Sequence, residues 1–465
     1  MPSNFARFCG TNLFLWQESK RMKILHVGWG HPPDNLCVGP VAYVQDLCDQ
    51  LSILGHTNVL LAACLMRVEG GLNFAVFRRQ YKGVSIYGVT NRHADFEDLH
   101  EPLRETQNLE SETVFRWVLS QEKPDIVHFH NLIGLSGSLL QVAQMLDIPH
   151  VVSLHNYWFL CPRHDLLDRH GRICPGPDDA KKCAECIPPN GDARKLEDRS
   201  LEYVARLRNL MEWLNKADKV IAVSDFVRRL FVENGLDSDR VVTLGAAASS
   251  AEQLHIQRKN RVKKPEYPLT FGYLGAISRR KAPHLLLDAA EMVHDLRDKF
   301  RIVLHGAIMD DEYADTLRRR ISEDNRFLPP TEFAGYYKPE MLYHILSKFD
   351  VCVTPSIWHE TAPRTVMESL GAGVPVIAPV IGGIPEIIGH GYNGLLFEAG
   401  DAGDLAAQMR FIIEQPSVLV SMQWNIPAPR SVLKHAEHVL SVYHSVLESK
   451  PKAKVPARAA ARQAA

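Results

Sequence analysis

The chain has 465 residues, with 53 Lys and Arg against 54 Asp and Glu, a formal net charge of -1 and 46% hydrophobic residues. That length favours two or three domains, and the neutral balance excludes both a wholly disordered chain and the basic field that bulk nucleic-acid binding needs. The longest uncharged apolar stretch, 370–385, is broken by Gly371, Gly373, Pro375, Pro379, Gly382 and Gly383, so it reads as strand and loops and not as a membrane span.

Residues 1–21 read as an extension. Their apolar run, Phe14-Leu15-Trp16, is too short for a signal peptide and no small-residue cleavage site follows, so a cytoplasmic location is expected. A buried strand is expected at 23–28, then a glycine-rich turn, a helix over 40–54 and a strand at 59–64. Strands at 125–130 and 150–154 flank a helix at 136–146. Helix 199–217, strand 219–223, helix 224–235 and strand 241–244 follow. The polar, basic segment 249–268 reads as a linker. Strands are then expected near 269–275, 301–305, 331–334, 350–354, 375–378 and 394–397, with helices at 283–297, 311–323, 338–348, 363–372 and 401–415. Short apolar runs alternating with helices mean βαβ units, so the fold class is α/β with two doubly wound, Rossmann-like halves facing across a cleft. A last helix occupies 431–447. The tail 450–465, with five basic residues and no acids, reads as disordered.

In such sheets ligands bind at the carboxyl ends of the strands, so the motifs there carry the functional reading. His359-Glu360-Thr361-Ala362-Pro363-Arg364-Thr365-Val366-Met367-Glu368 follows a strand. Thr361 is expected to cap a helix with Pro363 in its first turn, which puts Glu368 two turns in. A helix N-terminus suits a phosphate, and ionised carboxylates accept hydrogen bonds from hydroxyls. The implied ligand carries a diphosphate and sugar hydroxyls; the alternative is a capped helix with solvated acids. Arg279, Arg280 and Lys281, after Gly275, suit a pyrophosphate or form a solvated basic turn. In the first loop, Gly39 is followed by Pro40, and a dinucleotide fingerprint would need a glycine where Pro33 stands, which disfavours NAD. His155 follows a strand and either faces the cleft or packs in the core; His130 has the same address. Cys161, Cys174, Cys183 and Cys186 are separated by 12, 8 and 2 residues within a long loop, about 156–198. That spacing suits a structural zinc, with free thiols or one disulfide as the alternatives.

Two glutamates with seven residues between them, then 369–378, Gly382-Gly383-Ile384-Pro385-Glu386 and 391–397, resemble the retaining glycosyltransferases of family 4, which have the GT-B fold. The resemblance covers about 22–448. It implies a nucleotide-diphosphate-sugar donor bound by a second domain, 269–425, and a glycan or lipid-linked acceptor bound by a first, 22–248. The helix at 426–449 is expected to pack back on the first domain. Glu368 then binds the ribose and Glu360 positions the donor sugar. Thr361, Ala362, Pro363 and Arg364 line the diphosphate and sugar, and Gly39, Gly382 and Gly383 bring backbone close. His155 contacts the donor sugar. The family usually has a basic residue directly after Gly275; here Ala276 stands there, and Arg280 or Arg279 is expected to replace it beside Lys281. The resemblance further implies retention of anomeric configuration, no cofactor for catalysis, a setting in polysaccharide or glycolipid synthesis, and peripheral membrane contact if the acceptor is lipid-linked. A non-catalytic subunit of this fold and a nucleotide-sugar epimerase are the rival readings.

Overall fold

The two runs of alternating strands and helices build two separate sheets. The computed structural model describes residues 21–33, 39–64, 74–90, 99–189, 194–258, 262–323 and 328–450. The expected extension and tail, and 34–38 of the first loop, lie outside the described residues. The first sheet contains β1 (Lys23–Trp29), β2 (Thr57–Cys64), β3 (Val76–Tyr81), β4 (Val84–Thr90), β5 (Ile126–Phe129), β6 (His150–Leu154), β7 (Lys219–Ala222) and β8 (Val241–Thr243). Their order is β3-β4-β2-β1-β5-β6-β7-β8, parallel except for the β3–β4 pair. The second sheet contains β9 (Leu269–Leu274), β10 (Phe300–His305), β11 (Thr331–Gly335), β12 (Val351–Val353), β13 (Val376–Pro379) and β14 (Gly394–Phe397). It runs β11-β10-β9-β12-β13-β14, parallel throughout.

Both sheets wind outward from their first strand in one direction and then in the other. The switch points therefore fall between β1 and β5 and between β9 and β12, where crevices open at the strand carboxyl ends. Helices cover both faces, so the central strands are buried and largely apolar, with Ile24, Leu25 and Val27 in β1 and Phe271 and Tyr273 in β9; His26 in β1 and His128 in β5 are the buried polar exceptions on these two strands of the first sheet.

Several elements differ from the sequence expectation. β3 and β4 form a hairpin whose two turn residues, Lys82 and Gly83, have φ of 46° and 81°, the left-handed pair that a tight hairpin needs. β3 carries Arg78, Arg79 and Gln80 and lies at the sheet edge, so it lacks the apolar alternation that marks a strand. Its Phe77 lies over Gly88, where an added Cβ would stand 2.2 Å from the ring. Leu109–Glu122 is a helix capped by Asn108, which accepts from the Ser111 N–H at 2.9 Å. The segment read as a linker opens with a helix, Ser249–Arg258. The Val432–Ser449 helix sends Ala436, Val439, Leu440, Tyr443 and Val446 into the core of the first sheet, beside Ile24, Tyr43, Leu47 and Leu60. No helix among the described residues is long and apolar enough to cross a membrane.

Candidate active site

The second switch point gathers the most strongly paired charges of the cleft. Glu360 follows β12 and Lys281 follows β9. One Glu360 carboxylate oxygen, Oε1, accepts from Lys281 Nζ at 2.5 Å, Ser356 Oγ at 2.7 Å and Trp358 Nε1 at 2.8 Å. Burial works to raise this carboxyl, but Lys281 and the three hydrogen bonds outweigh it and hold the group below the ordinary glutamate value. The Trp358 ring lies beneath both cations, with the Arg280 guanidinium 5.1 Å and Lys281 Nζ 5.3 Å from its centroid. Arg279 turns away to Asp310, at 3.1 Å, so of the two arginines Arg280 stays with the site. The backbone around Glu360 is held by glycines. Gly383 N–H donates to the Glu360 carbonyl at 2.7 Å, and a Cβ on Gly382 (φ 59°) would stand 2.2 Å from that oxygen. A Cβ on Gly383 would meet the Thr361 carbonyl at 2.5 Å.

Thr361 does not cap the following helix. That helix is Arg364–Gly371, with Pro363 at its N-cap and no side-chain cap, and the Thr361 hydroxyl donates instead to the His155 carbonyl, at 2.9 Å. The interdomain contact has outcompeted the local cap. Tyr157 OH donates to the His359 carbonyl at 3.0 Å, and the Glu386 carboxylate accepts from the Asp225 and Phe226 N–H groups, so the two domains are hydrogen-bonded at these points as well.

Glu368 lies one turn beyond Arg364 on that helix and is buried. Its carboxylate accepts from Ser250 Oγ at 2.6 Å and Arg364 Nε at 3.2 Å. Arg364 reaches across to Asp46 of the first domain at 3.1 Å, and Asp46 also accepts from the Ser249 N–H. Burial raises the Glu368 carboxyl above the ordinary value, against the opposing pull of Arg364 and Ser250. Ser250 and Asp46 were not singled out from the sequence, and nothing in their local pattern marks them.

The first-domain wall holds His155, half-buried at the end of β6. Burial pushes its pKa down to about 3, so the imidazole is neutral. A small pocket at the end of β1 is lined by Gly28, Trp29, Gly30, Val41, His130 and Asn131. Gly39 begins the helix Gly39–Ile53, and a Cβ there would meet nothing within 4 Å, so no close approach within the described residues demands this glycine. Pro40 occupies the first turn, where its missing N–H is harmless. His26 and His128 went unnoticed in the sequence. They become neighbours only through the pairing of β1 with β5, which sets His26 opposite His128 in register, and no local pattern records that pairing.

The four clustered cysteines are all free thiols. Burial, reinforced by Cys161, Cys174 and Cys186, pushes the Cys183 thiol up to about 12. Among the described residues His26, His128 and His130 bring three donor atoms within 4.8 Å of one another, and the thiols do not.

This geometry can be set beside known proteins. The chain matches the family model described as Glycosyltransferase Family 4 over residues 39–245, and the model described as Glycosyl transferases group 1 over 256–427. It is 24% identical over 308 residues to the D-inositol 3-phosphate glycosyltransferase of Corynebacterium aurimucosum, covering 64% of this chain and 65% of that protein. It is 22% identical over 411 residues to the glycogen synthase of Mycobacterium tuberculosis, covering 85% and 87%. The crystal structure of Anabaena Alr3699/HepE in complex with UDP and glucose superposes with a TM-score of 0.57 at 16% identity, over 92% of this chain and 99% of that one. The chain thus spans just under two thirds of the D-inositol 3-phosphate enzyme.

Proposed function

The chain belongs to glycosyltransferase family 4, with the GT-B fold, and from that membership we propose that it moves a sugar from a nucleotide-diphosphate sugar to a hydroxyl acceptor, with retention of anomeric configuration. The observation that carries this reading is the Lys281–Glu360 pair at the second switch point, with Glu360 next in the chain to Thr361, whose hydroxyl is bonded to the His155 carbonyl of the first domain. Bond cleavage leaves charge on a nucleoside diphosphate, so fixed cations placed there lower the barrier most. Lys281, one quarter exposed, spends one of its three donors on Glu360 and keeps the others for the diphosphate. Arg280, held against Trp358, adds a second cation. Glu360 accepts from the donor-sugar hydroxyls, and Glu368, once released from Ser250 and Arg364, accepts from the ribose. Thr361, Ala362, Pro363 and Arg364 line the phosphate end, and Gly382 and Gly383 hold that loop in place. Family resemblance supplies the proton path, in which the leaving phosphate oxygen takes the acceptor proton. Lipid-linked or glycan acceptors, in polysaccharide or glycolipid synthesis, suit the same reading.

Melting of the full chain with UDP, GDP, ADP and NAD tests this. A ligand at 100 times its dissociation constant adds about 2.7 kcal/mol. One nucleoside diphosphate should raise the melting temperature, and Glu368→Ala should abolish the shift. Silence with all four and with intact nucleotide sugars overturns the donor site, as does a shift with NAD alone. Isomerised donor without transfer would favour the epimerase reading.

We further propose that Cys161, Cys174, Cys183 and Cys186 hold a structural zinc that orders the loop after His155. The donor set is right, with Cys183 and Cys186 on the short Lys181–Cys186 helix. Zn–S bonds of about 2.3 Å require thiolates roughly 3.8 Å apart, so the site closes only as the thiols draw together and lose their protons. Elemental analysis should find one zinc per chain, lost in Cys183→Ser; metal-free protein in which all nine thiols of the unfolded chain titrate would refute it.

A further inference from the structure

A file of neutral histidines runs behind the cleft. Asn58 Oδ1 lies 3.1 Å from His26 Nε2, His26 Nδ1 lies 3.1 Å from His130 Nε2, and His130 Nδ1 lies 3.1 Å from His155 Nε2. The rings of His26 and His130, and of His130 and His155, are stacked. A metal is a poor occupant for His26, His128 and His130, because both ring nitrogens of each already have partners: His128 is held by Tyr443 at 2.6 Å and Ser153 at 2.8 Å.

The direction of the file is fixed at its far end. The Asn58 amide nitrogen donates to the Cys48 carbonyl at 3.1 Å, and a carbonyl can only accept. Asn58 therefore turns its oxygen to His26, whose Nε2 must carry the proton. A neutral imidazole has one N–H, so His26 Nδ1 is bare and accepts from His130 Nε2–H. By the same logic His130 Nδ1 is bare and accepts from His155 Nε2–H. Among the described residues Nδ1 of His155 has no hydrogen-bond partner, and this residue sits partly exposed directly after the carboxyl end of β6.

We propose that Asn58 is a positioning residue which, through His26 and His130, locks His155 as its Nε2–H tautomer and presents a bare Nδ1 as acceptor to a sugar hydroxyl in the cleft. Burial keeps every ring in the file neutral, as the directionality requires: His26 is pushed down to about 4, and His130 well below its usual value. The hydroxyl part of this inference rests on the glycosyltransferase reading; the tautomer part does not.

NMR of the full chain labelled with 15N-histidine tests it, with His155→Gln used to assign the resonance. Wild type should show a proton on His155 Nε2 and none on Nδ1. Asn58→Leu should mix the two tautomers and lower kcat/KM for the nucleotide sugar about tenfold, the worth of one neutral hydrogen bond. The nucleoside diphosphate dissociation constant should not change. Asn58→Asp, which keeps an acceptor for His26 and as a neutral acid donates to the Cys48 carbonyl, should restore both readouts. A proton on Nδ1 in wild type overturns the proposal whether or not any variant folds. So does a single unchanged tautomer in folded Asn58→Leu. The locked tautomer in a chain that turns over no nucleotide sugar would refute the function and leave the relay standing.

Discussion

Stability should collapse between pH 6.5 and pH 5, well above the range in which carboxylates titrate. His26 in β1, His128 in β5, His130 just after β5 and His435 in the final helix are all buried, and burial lowers the pKa of each: His26 and His435 to about 4, His128 and His130 well below 6.5. His435 is further lowered by Arg430 and His438. The sign follows from linkage. A histidine with a depressed native pKa takes up its proton only on unfolding, so its stabilising contribution is complete above the unfolded value near 6.5. It is lost as pH falls from there toward the native value. At pH 5.5 each such group favours the unfolded chain by about 1.4 kcal/mol, and four together by roughly 5–6 kcal/mol. That is comparable with the whole stability of many domains. Glu360 titrates below this window, and Glu368, with its raised carboxyl, acts weakly in the opposite direction. Urea midpoints at pH 7.5, 6.5 and 5.5 measure the effect. A midpoint that stays flat over that range would mean that these rings are protonated in the native state.

This sensitivity was not visible in the sequence, and the reason is topological. His26 and His128 are over 100 residues apart and meet only because β1 and β5 are neighbours at the switch point. Tyr443 reaches His128, and His435 reaches Tyr43, because the final helix returns to the first sheet. A local pattern records which face a residue takes and not which strands pair. Glu360, Lys281 and the glycines after β13 were legible because each sits a few residues past a strand end, where chain position alone fixes the address. Trp358 was missed although it sits two residues before Glu360. A tryptophan in a loop reads as packing until its indole N–H is seen to donate to a carboxylate and its ring to carry two cations. Thr361 was misread because its cap competes with a carbonyl on the other domain, 206 residues away. The polar β3 edge strand and the Ser249–Arg258 helix show the same limit. Their stability comes from neighbours and not from their own periodicity.

Lys281→Met should be the most damaging single substitution in the cleft, through two separable effects. Glu360 is held ionised in a buried site by Lys281, Ser356 and Trp358. Removing the cation strands the carboxylate. Breaking a buried pair costs roughly 3–5 kcal/mol, and because Lys281 is 26% exposed the loss should fall at or below the low end. In wild type the depressed Glu360 carboxyl contributes stability above about pH 4.5, lost as pH falls through its native value. In Lys281→Met burial is opposed only by the two hydrogen bonds, so the carboxyl rises. The deficit against wild type should then be largest at pH 7.5 and shrink at pH 5. The second effect is kinetic. A fixed cation aimed at the leaving diphosphate is worth about 10²–10³ in kcat, and Lys281→Arg, which keeps the charge without the geometry, should lose less. Glu360→Gln separates the two effects. It removes the stranded charge and leaves Lys281 free for phosphate, so it should spare nucleoside diphosphate binding while weakening turnover of the intact sugar donor. Paired urea titrations and rates of nucleoside diphosphate release decide the matter. If Lys281→Met is destabilised but turns over at the wild-type rate, Lys281 serves Glu360 alone, and the charge that stabilises the leaving group must come from Arg280 and its seat on Trp358.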